Sequence, residues 1–178
     1  YNWQGIVDQA TACHTAVVVT KTECADGVLQ AFDASCKFLG RTPLAIVHDN
    51  KPIHEDKTLQ DTLGKTTKMI PATLKRPENK AVIEGEFGKF EQSVGTIFLD
   101  DSSTEKLKES AVREVIRAYV AASNHAGRFE FDGKSRQAVL RKTCSDPDKD
   151  RDFIEQLHAN HIKPSSSDIL PTRQISRK

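Results

Sequence analysis

The strongest constraint on the fold is a helix set between strand-like runs. Val28, Leu29, Phe32, Cys36 and Leu39 fall on one side of a 3.6-residue repeat, and Gly40 follows as a stop. Upstream, Asn2–Val7 and His14–Lys21 are rich in β-branched and aromatic residues, with the polar stretch Asp8-Gln9-Ala10-Thr11-Ala12 between them. That order predicts a hairpin. Downstream, Pro43 opens a short apolar strand, Leu44–Val47, which ends on His48-Asp49-Asn50. A strand–helix–strand order of this kind predicts an α/β fold, with the strands that flank the helix running parallel.

The next segments are shorter. Glu55–Leu63 reads as a helix closed by Gly64, and Lys68–Pro71 as a strand. A basic loop, Lys75-Arg76-Pro77-Glu78-Asn79, leads into a helix to Val94 with an apolar stripe at Ile83, Phe87, Phe90 and Val94. Glu84 lies about 100° round from Ile83, at the edge of that stripe. After Asp101, Ser102-Ser103-Thr104-Glu105 is a capping-box pattern. It starts a long helix to Asn124 with its stripe at Leu107, Ala111, Val115, Tyr119 and Ala122. Gly127–Gly133 is a break with a short strand. Helices near Ser135–Lys142 and Asp148–His161 follow, and the Pro- and Ser-containing tail from Lys163 has a linker's composition. The organisation expected is a core over residues 1–98, a helical extension over 99–162 and a linker or disordered tail over 163–178.

Charge and cysteine content exclude several classes. With 26 Lys and Arg against 25 Asp and Glu, the chain is no uniformly basic nucleic-acid binder, although averaging hides local patches. The four cysteines, Cys13, Cys24, Cys36 and Cys144, contain no Cys-x-x-Cys pair, which argues for reduced thiols in a cytoplasmic protein. The longest apolar runs are strand-sized, so no membrane span is expected.

Two carboxylates carry the chemistry. Asp49 ends a buried strand, where ligand sites of open α/β sheets form, and Glu84 lies on a helix after a basic loop. Carboxylates converging from those places suit Mg²⁺, a hard ion that takes oxygen ligands and keeps several waters. Such sites perform phosphoryl transfer. Glu78 and Glu86 compete for the helix position. Glu78 precedes the helix, and Glu86 lies about 200° round from Glu84.

The runs Ala45-Ile46-Val47-His48-Asp49-Asn50 and Lys75-Arg76-Pro77-Glu78-Asn79-Lys80-Ala81-Val82-Ile83-Glu84-Gly85 resemble the catalytic core of DDE-type transposases and retroviral integrases. In that family an Asp after an apolar strand precedes Asn, and a Glu about 35 residues later sits seven positions after a loop Pro. Asp49, Pro77 and Glu84 fit this pattern. The helices that follow are similar in style to those of bacterial insertion-sequence transposases. One departure is Lys51, where the family often has Gly. The resemblance implies an RNase H-like mixed five-stranded sheet flanked by helices, with Mg²⁺ (Mn²⁺ as substitute) held by Asp49 and Glu84. It also implies DNA cleavage and strand transfer at transposon ends and target, by a homo-oligomer on DNA.

The family's first strand carries a further Asp. Asp8 sits only about fourteen residues before the first helix, too few for two more strands and their turn. It reads instead as the Asp of an Asp-x-x-Thr turn. The expectation is therefore a first strand, with its Asp, upstream of Tyr1. Lys75, Arg76 and Lys80 are the candidate DNA contacts near the carboxylates, with Lys89 behind them. Arg128, Lys134, Arg136, Arg141 and Lys142 form a second basic patch, open to either a DNA or a purely solvated role. Glu23 reads as a favourable charge at the first helix's N-terminus. His48 reads as a structural neighbour of Asp49, and His158 and His161 as a solvated helix end. The rival function is a non-catalytic DNA-binding or assembly fragment.

Overall fold

A computed structural model describes residues 1–49, 51, 53, 56–72 and 81–143 of the 178. The chain divides into two compact units, Tyr1–Ser145 and Asp146–Lys178, and every element below belongs to the first. The expected helix at 148–161 and the tail lie outside the described residues.

The hairpin forms as its sequence predicts. Strands β1 (Asn2–Val7) and β2 (His14–Thr20) pair antiparallel from Asn2↔Thr20 to Val7↔His14, with a bulge between Ile6 and Val7. Asp8 closes the turn: one carboxylate oxygen accepts from the Thr11 backbone N–H at 2.8 Å and from its hydroxyl at 2.7 Å. Helix α1 (Ala25–Leu39) packs on this hairpin and ends at Gly40, whose φ of 72° is the left-handed conformation that favours glycine. Its contact with the strands is close. Gly27 leaves room for the Gln4 side chain, and Ser35 shares a 2.8 Å hydrogen bond with Thr15.

Strand β3 (Ala45–His48) pairs in parallel with β4 (Lys68–Pro71), across helix α2 (Lys57–Leu63). Asp56 caps α2 by accepting from the Leu59 N–H at 3.0 Å, and Leu59 and Leu63 are fully buried. The expected parallel pairing of β2 with β3 is therefore corrected. The parallel partner of β3 is β4, and the described residues form two two-stranded sheets, β1–β2 and β3–β4. The reason is visible between them. A cleft separates β1 from β3, so no backbone hydrogen bond joins the two sheets among the described residues.

Three helices complete the unit: α3 (Ala81–Val94), α4 (Glu105–His125) and α5 (Arg136–Thr143). Thr104 caps α4 through a 3.3 Å bond from the Leu107 N–H. The stripe expected on α4 is corrected: Leu107 is 60% exposed, and Ala111 and Ala122 are exposed. The buried residues are Ile116, Ser123 and Asn124. Polar anchors, not the apolar count, set the helix's rotation. Asn124 brackets β2, accepting from the His14 N–H at 2.9 Å and donating to the His14 carbonyl at 2.8 Å. The strand expected within Gly127–Gly133 is instead a 3₁₀ turn at Phe129–Phe131, with an isolated bridge between Gly127 and Ser135.

Candidate functional site

The cleft between β1 and β3 has a volume of roughly 370 Å³ and is where the sequence-predicted carboxylates lie. Asp49 follows the last residue of β3, so it stands at that strand's C-terminal end. Glu84 is exposed in the first turn of α3. Both line the cleft, over an apolar wall that includes Val28 and Phe32 of α1, Met69 of β4, and Ile83 and Phe87 of α3. These apolar residues are half-buried, not buried. The His48 ring is buried behind Asp49, with Nδ1 2.7 Å from the Asp49 carbonyl oxygen.

Glu23, just before α1, lines the same cleft, and sequence reasoning took it for a simple helix-end charge. Lys51 connects it to Asp49. The Lys51 ammonium donates to both Glu23 carboxylate oxygens, at 2.8 and 3.0 Å, and lies 3.7 Å from Asp49 Oδ2. The hydrogen bond to Glu23 holds the Lys51 pKa above its ordinary value, against a smaller opposing effect of burial. A full positive charge therefore stands beside Asp49. The oxygen donors of this cleft have the chemistry Mg²⁺ takes. Among the described residues no three His, Cys, Asp or Glu side chains converge on one ion position.

A second cluster was missed from sequence altogether. On the other side of α3, Glu86 is 1% exposed and Arg136 of α5 is 2% exposed. Arg136 grips Glu86 with both terminal nitrogens, at 2.6 and 2.9 Å, and also donates to Ser123 Oγ at 2.7 Å and the Ala12 carbonyl at 3.1 Å. His14 Nε2 lies 3.1 Å from the same Glu86 carboxylate, and Lys89 donates to it at 2.7 Å. Burial alone would raise the Glu86 pKa, but the hydrogen bonds from Arg136 and Lys89 outweigh it and hold the carboxyl at about 2. Burial pushes the His14 pKa down, and its bond to Glu86 only partly opposes this. Trp3 stacks on His14 and meets Phe87 and Phe90 edge-on, closing the cluster from the β1 side.

This corrects the second basic patch: Arg136 is a buried partner of Glu86 and does not face a DNA surface. Lys134, Arg141 and Lys142 are exposed, and Arg128 is half-buried. Lys89 is exposed but spoken for by Glu86. The candidate DNA contacts Lys75, Arg76 and Lys80 lie outside the described residues, as do Asn50, Pro77, Glu78, Cys144, His158 and His161. No helix among the described residues is long and apolar enough to cross a membrane.

No protein-family model matches the chain, and no curated protein sequence matches it. Solved structures do. The magnesium-complexed catalytic core domain of HTLV-2 integrase, a trimeric form, is similar with a TM-score of 0.56 at 16% identity, over 78% of this chain and 92% of that one. The simian T-cell lymphotropic virus intasome in complex with the PP2A regulatory subunit B56 gamma contains a chain similar at a TM-score of 0.56 and 12% identity. That match spans 78% of this chain and 52% of the longer one. The cleft between β1 and β3 thus belongs to a mixed α/β unit folded like a retroviral integrase catalytic core.

Proposed function

We propose that this chain is the core of a DDE-type polynucleotidyl transferase of the transposase/integrase class, with following helices similar in style to those of bacterial insertion-sequence transposases. One observation carries the reading. In a unit with an integrase-core-like fold, Asp49 at the end of β3 and Glu84 in the first turn of α3 line one cleft. Asp49 and Glu84 would hold Mg²⁺, which when bound supplies charge to activate an attacking hydroxyl and stabilise the leaving oxygen. The chain's own residues do the rest: Lys75, Arg76 and Lys80 neutralise and orient DNA phosphates beside the carboxylates, and the apolar cleft wall fixes the carboxylates' approach. DNA ends and target are the substrates, handled by a homo-oligomer.

We infer also that the cleft takes one more strand, giving a five-stranded mixed sheet. Successive residues of a strand point to opposite faces. Gln4, Gly5 and Ile6 are consecutive, as are Ile46, Val47 and His48, and all six line the cleft. Such strand residues reach one space along a strand's edge. Among the described residues these edges of β1 and β3 are unpaired, and they lie over half-buried apolar side chains that a central strand would cover. A carboxylate on that strand would join Asp49 and Glu84.

The test is strand transfer of pre-cleaved DNA ends in Mg²⁺ or Mn²⁺ by the complete protein with that strand in place, with DNA binding measured in parallel. Asp49→Asn and Glu84→Gln are each expected to abolish joining and leave DNA binding within about twofold, since neither carboxylate adds to phosphate affinity. Joining retained by either variant would overturn the site. A second reading, a non-catalytic DNA-binding or assembly fragment, is favoured by the lack of a third converging acid among the described residues. It predicts DNA binding with no joining at all even when that further strand is in place.

A further inference from the structure

Lys51 has a role that the two-carboxylate reading does not assign. It lines the cleft with Glu23, Asp49 and Glu84, and its ammonium sits between two of the three carboxylates. At 2.8 and 3.0 Å it is fully engaged by Glu23, while at 3.7 Å from Asp49 it is an ion pair without a short hydrogen bond. That asymmetry matters. Glu23 anchors the ammonium, and Asp49 only feels its charge. A lysine reaches this position on a flexible four-carbon stem and can leave it by rotation about single bonds. Its side chain is 52% exposed, so solvent reaches it in the position it now holds.

We infer that Lys51 is a built-in competitor for the cation site at Asp49: its ammonium stands where a divalent ion would lie and must swing aside, tethered to Glu23, before that ion binds. This rests on the reading of Asp49 and Glu84 as metal ligands, and it adds a residue that tunes when the metal enters. The physical basis is repulsion. A divalent cation bound at Asp49 with Lys51 still in place faces a positive charge a few ångströms away, at a partly solvated site where such effects are modest but real. Glu23 has the opposite effect. By holding the ammonium to one side, it keeps Lys51 from collapsing fully onto Asp49. The arrangement makes metal affinity depend on a third party: an incoming phosphate that draws Lys51 off Glu23 and Asp49 would raise it.

Mn²⁺ binding to the 178-residue chain, followed by electron paramagnetic resonance of the free ion, tests this directly. Lys51→Met removes the charge and keeps the stem, and it is expected to tighten Mn²⁺ binding about fivefold. Lys51→Arg keeps the charge and is expected to bind Mn²⁺ as the unaltered chain does. Glu23→Gln releases the ammonium toward Asp49 and is expected to weaken binding. In the Lys51→Met background that weakening should vanish. Mn²⁺ binding seen only in Lys51→Met would support the inference in its strongest form. Equal affinity for the unaltered chain and Lys51→Met, with loss in Asp49→Asn, would overturn it and leave the metal site standing. Failure of every variant to bind Mn²⁺ would overturn this inference and show that Asp49 and Glu84 hold no cation without the further carboxylate. Thermal unfolding of each variant confirms that the fold is unchanged.

Discussion

Glu84 and Glu86 sit two residues apart on α3 and have opposite fates. Glu84 is exposed and faces an open cleft, lined by apolar walls, other carboxylates and Lys51. Glu86 is sealed against Arg136, His14 and Lys89, with every charge around it opposite in sign or neutral. The difference teaches how one helix serves two purposes. Its buried acid is spent on fixing α3 to β2 and α5, and that fixed rotation is what turns Glu84 toward β3. A carboxylate free to bind a cation needs a neighbour that has given up that freedom.

The most severe way to break the comparison is to remove Arg136. Arg136→Ala leaves Glu86 charged, buried and without its bidentate partner, and loss of one member of a buried pair typically costs about 3–5 kcal/mol. Urea denaturation should show this loss, while Glu84→Gln should shift stability by no more than about 0.5 kcal/mol. Comparable losses for the two would show that Glu84 is structural and sink its role at the cleft.

Acid should sharpen the same contrast. Glu86 titrates at about 2 in the folded chain against an ordinary 4.5. A depressed carboxyl pKa means the unfolded chain binds more protons, so the stability contributed is present above pH 4.5 and is lost as pH falls toward 2. The shift corresponds to about 3 kcal/mol. His14 acts in the same direction at higher pH: its pKa is pushed below 6.5, so its contribution is present above 6.5 and declines below. On the acid side, stability measured by denaturation should therefore begin to fall below pH 6.5 and fall again below 4.5. The gap between the unaltered chain and Glu86→Gln should narrow between pH 4.5 and 2. A constant gap would mean that the Glu86 pKa is the same in the folded and unfolded chains.

The cleft side of this contrast was legible in the sequence, and the buried side was not. Asp49 and Glu84 could be found because each is tied to local structure: a strand end and a first helical turn, at a spacing with a Pro offset. The extent of α1 and the Asp8 turn were legible for the same reason, since residues within four positions decide them, but α1 buries Gly27, Ala31 and Ser35 beside its half-buried apolar stripe. Arg136 carried no such signal. It lies in a run of basic residues that reads as solvated, and its burial depends on Glu86, fifty positions away, and on Ser123. The α4 stripe failed because counting apolar residues favoured Leu107 and Ala122, whereas the rotation was set by Ser123 and Asn124. Adjacent polar residues in line with Ile116 were the one available hint. The separation of the sheets could not be read at all, because strand order depends on tertiary pairing and not on the run of residues that forms each strand.

The smallest effect expected concerns Gly85, which lies between the two glutamates of α3, and Gly88, two residues beyond Glu86. Glycine in a helix interior costs about 1 kcal/mol relative to alanine. A Cβ at either position would meet no atom of the described residues within 4 Å, so helix packing gives no reason for the choice. Gly85→Ala and Gly88→Ala should each stabilise the chain, by up to about 1 kcal/mol. Gly88 lies one turn beyond Glu84 on the same helix face, so a methyl group there projects toward whatever approaches the carboxylate. Gly85 is turned about 100° away from Glu84. If the Glu84 face meets a DNA backbone, Gly88→Ala should bind DNA more weakly than Gly85→Ala while unfolding at the same or a higher temperature. Equal DNA affinity in the two variants would remove close approach as the reason for glycine at position 88.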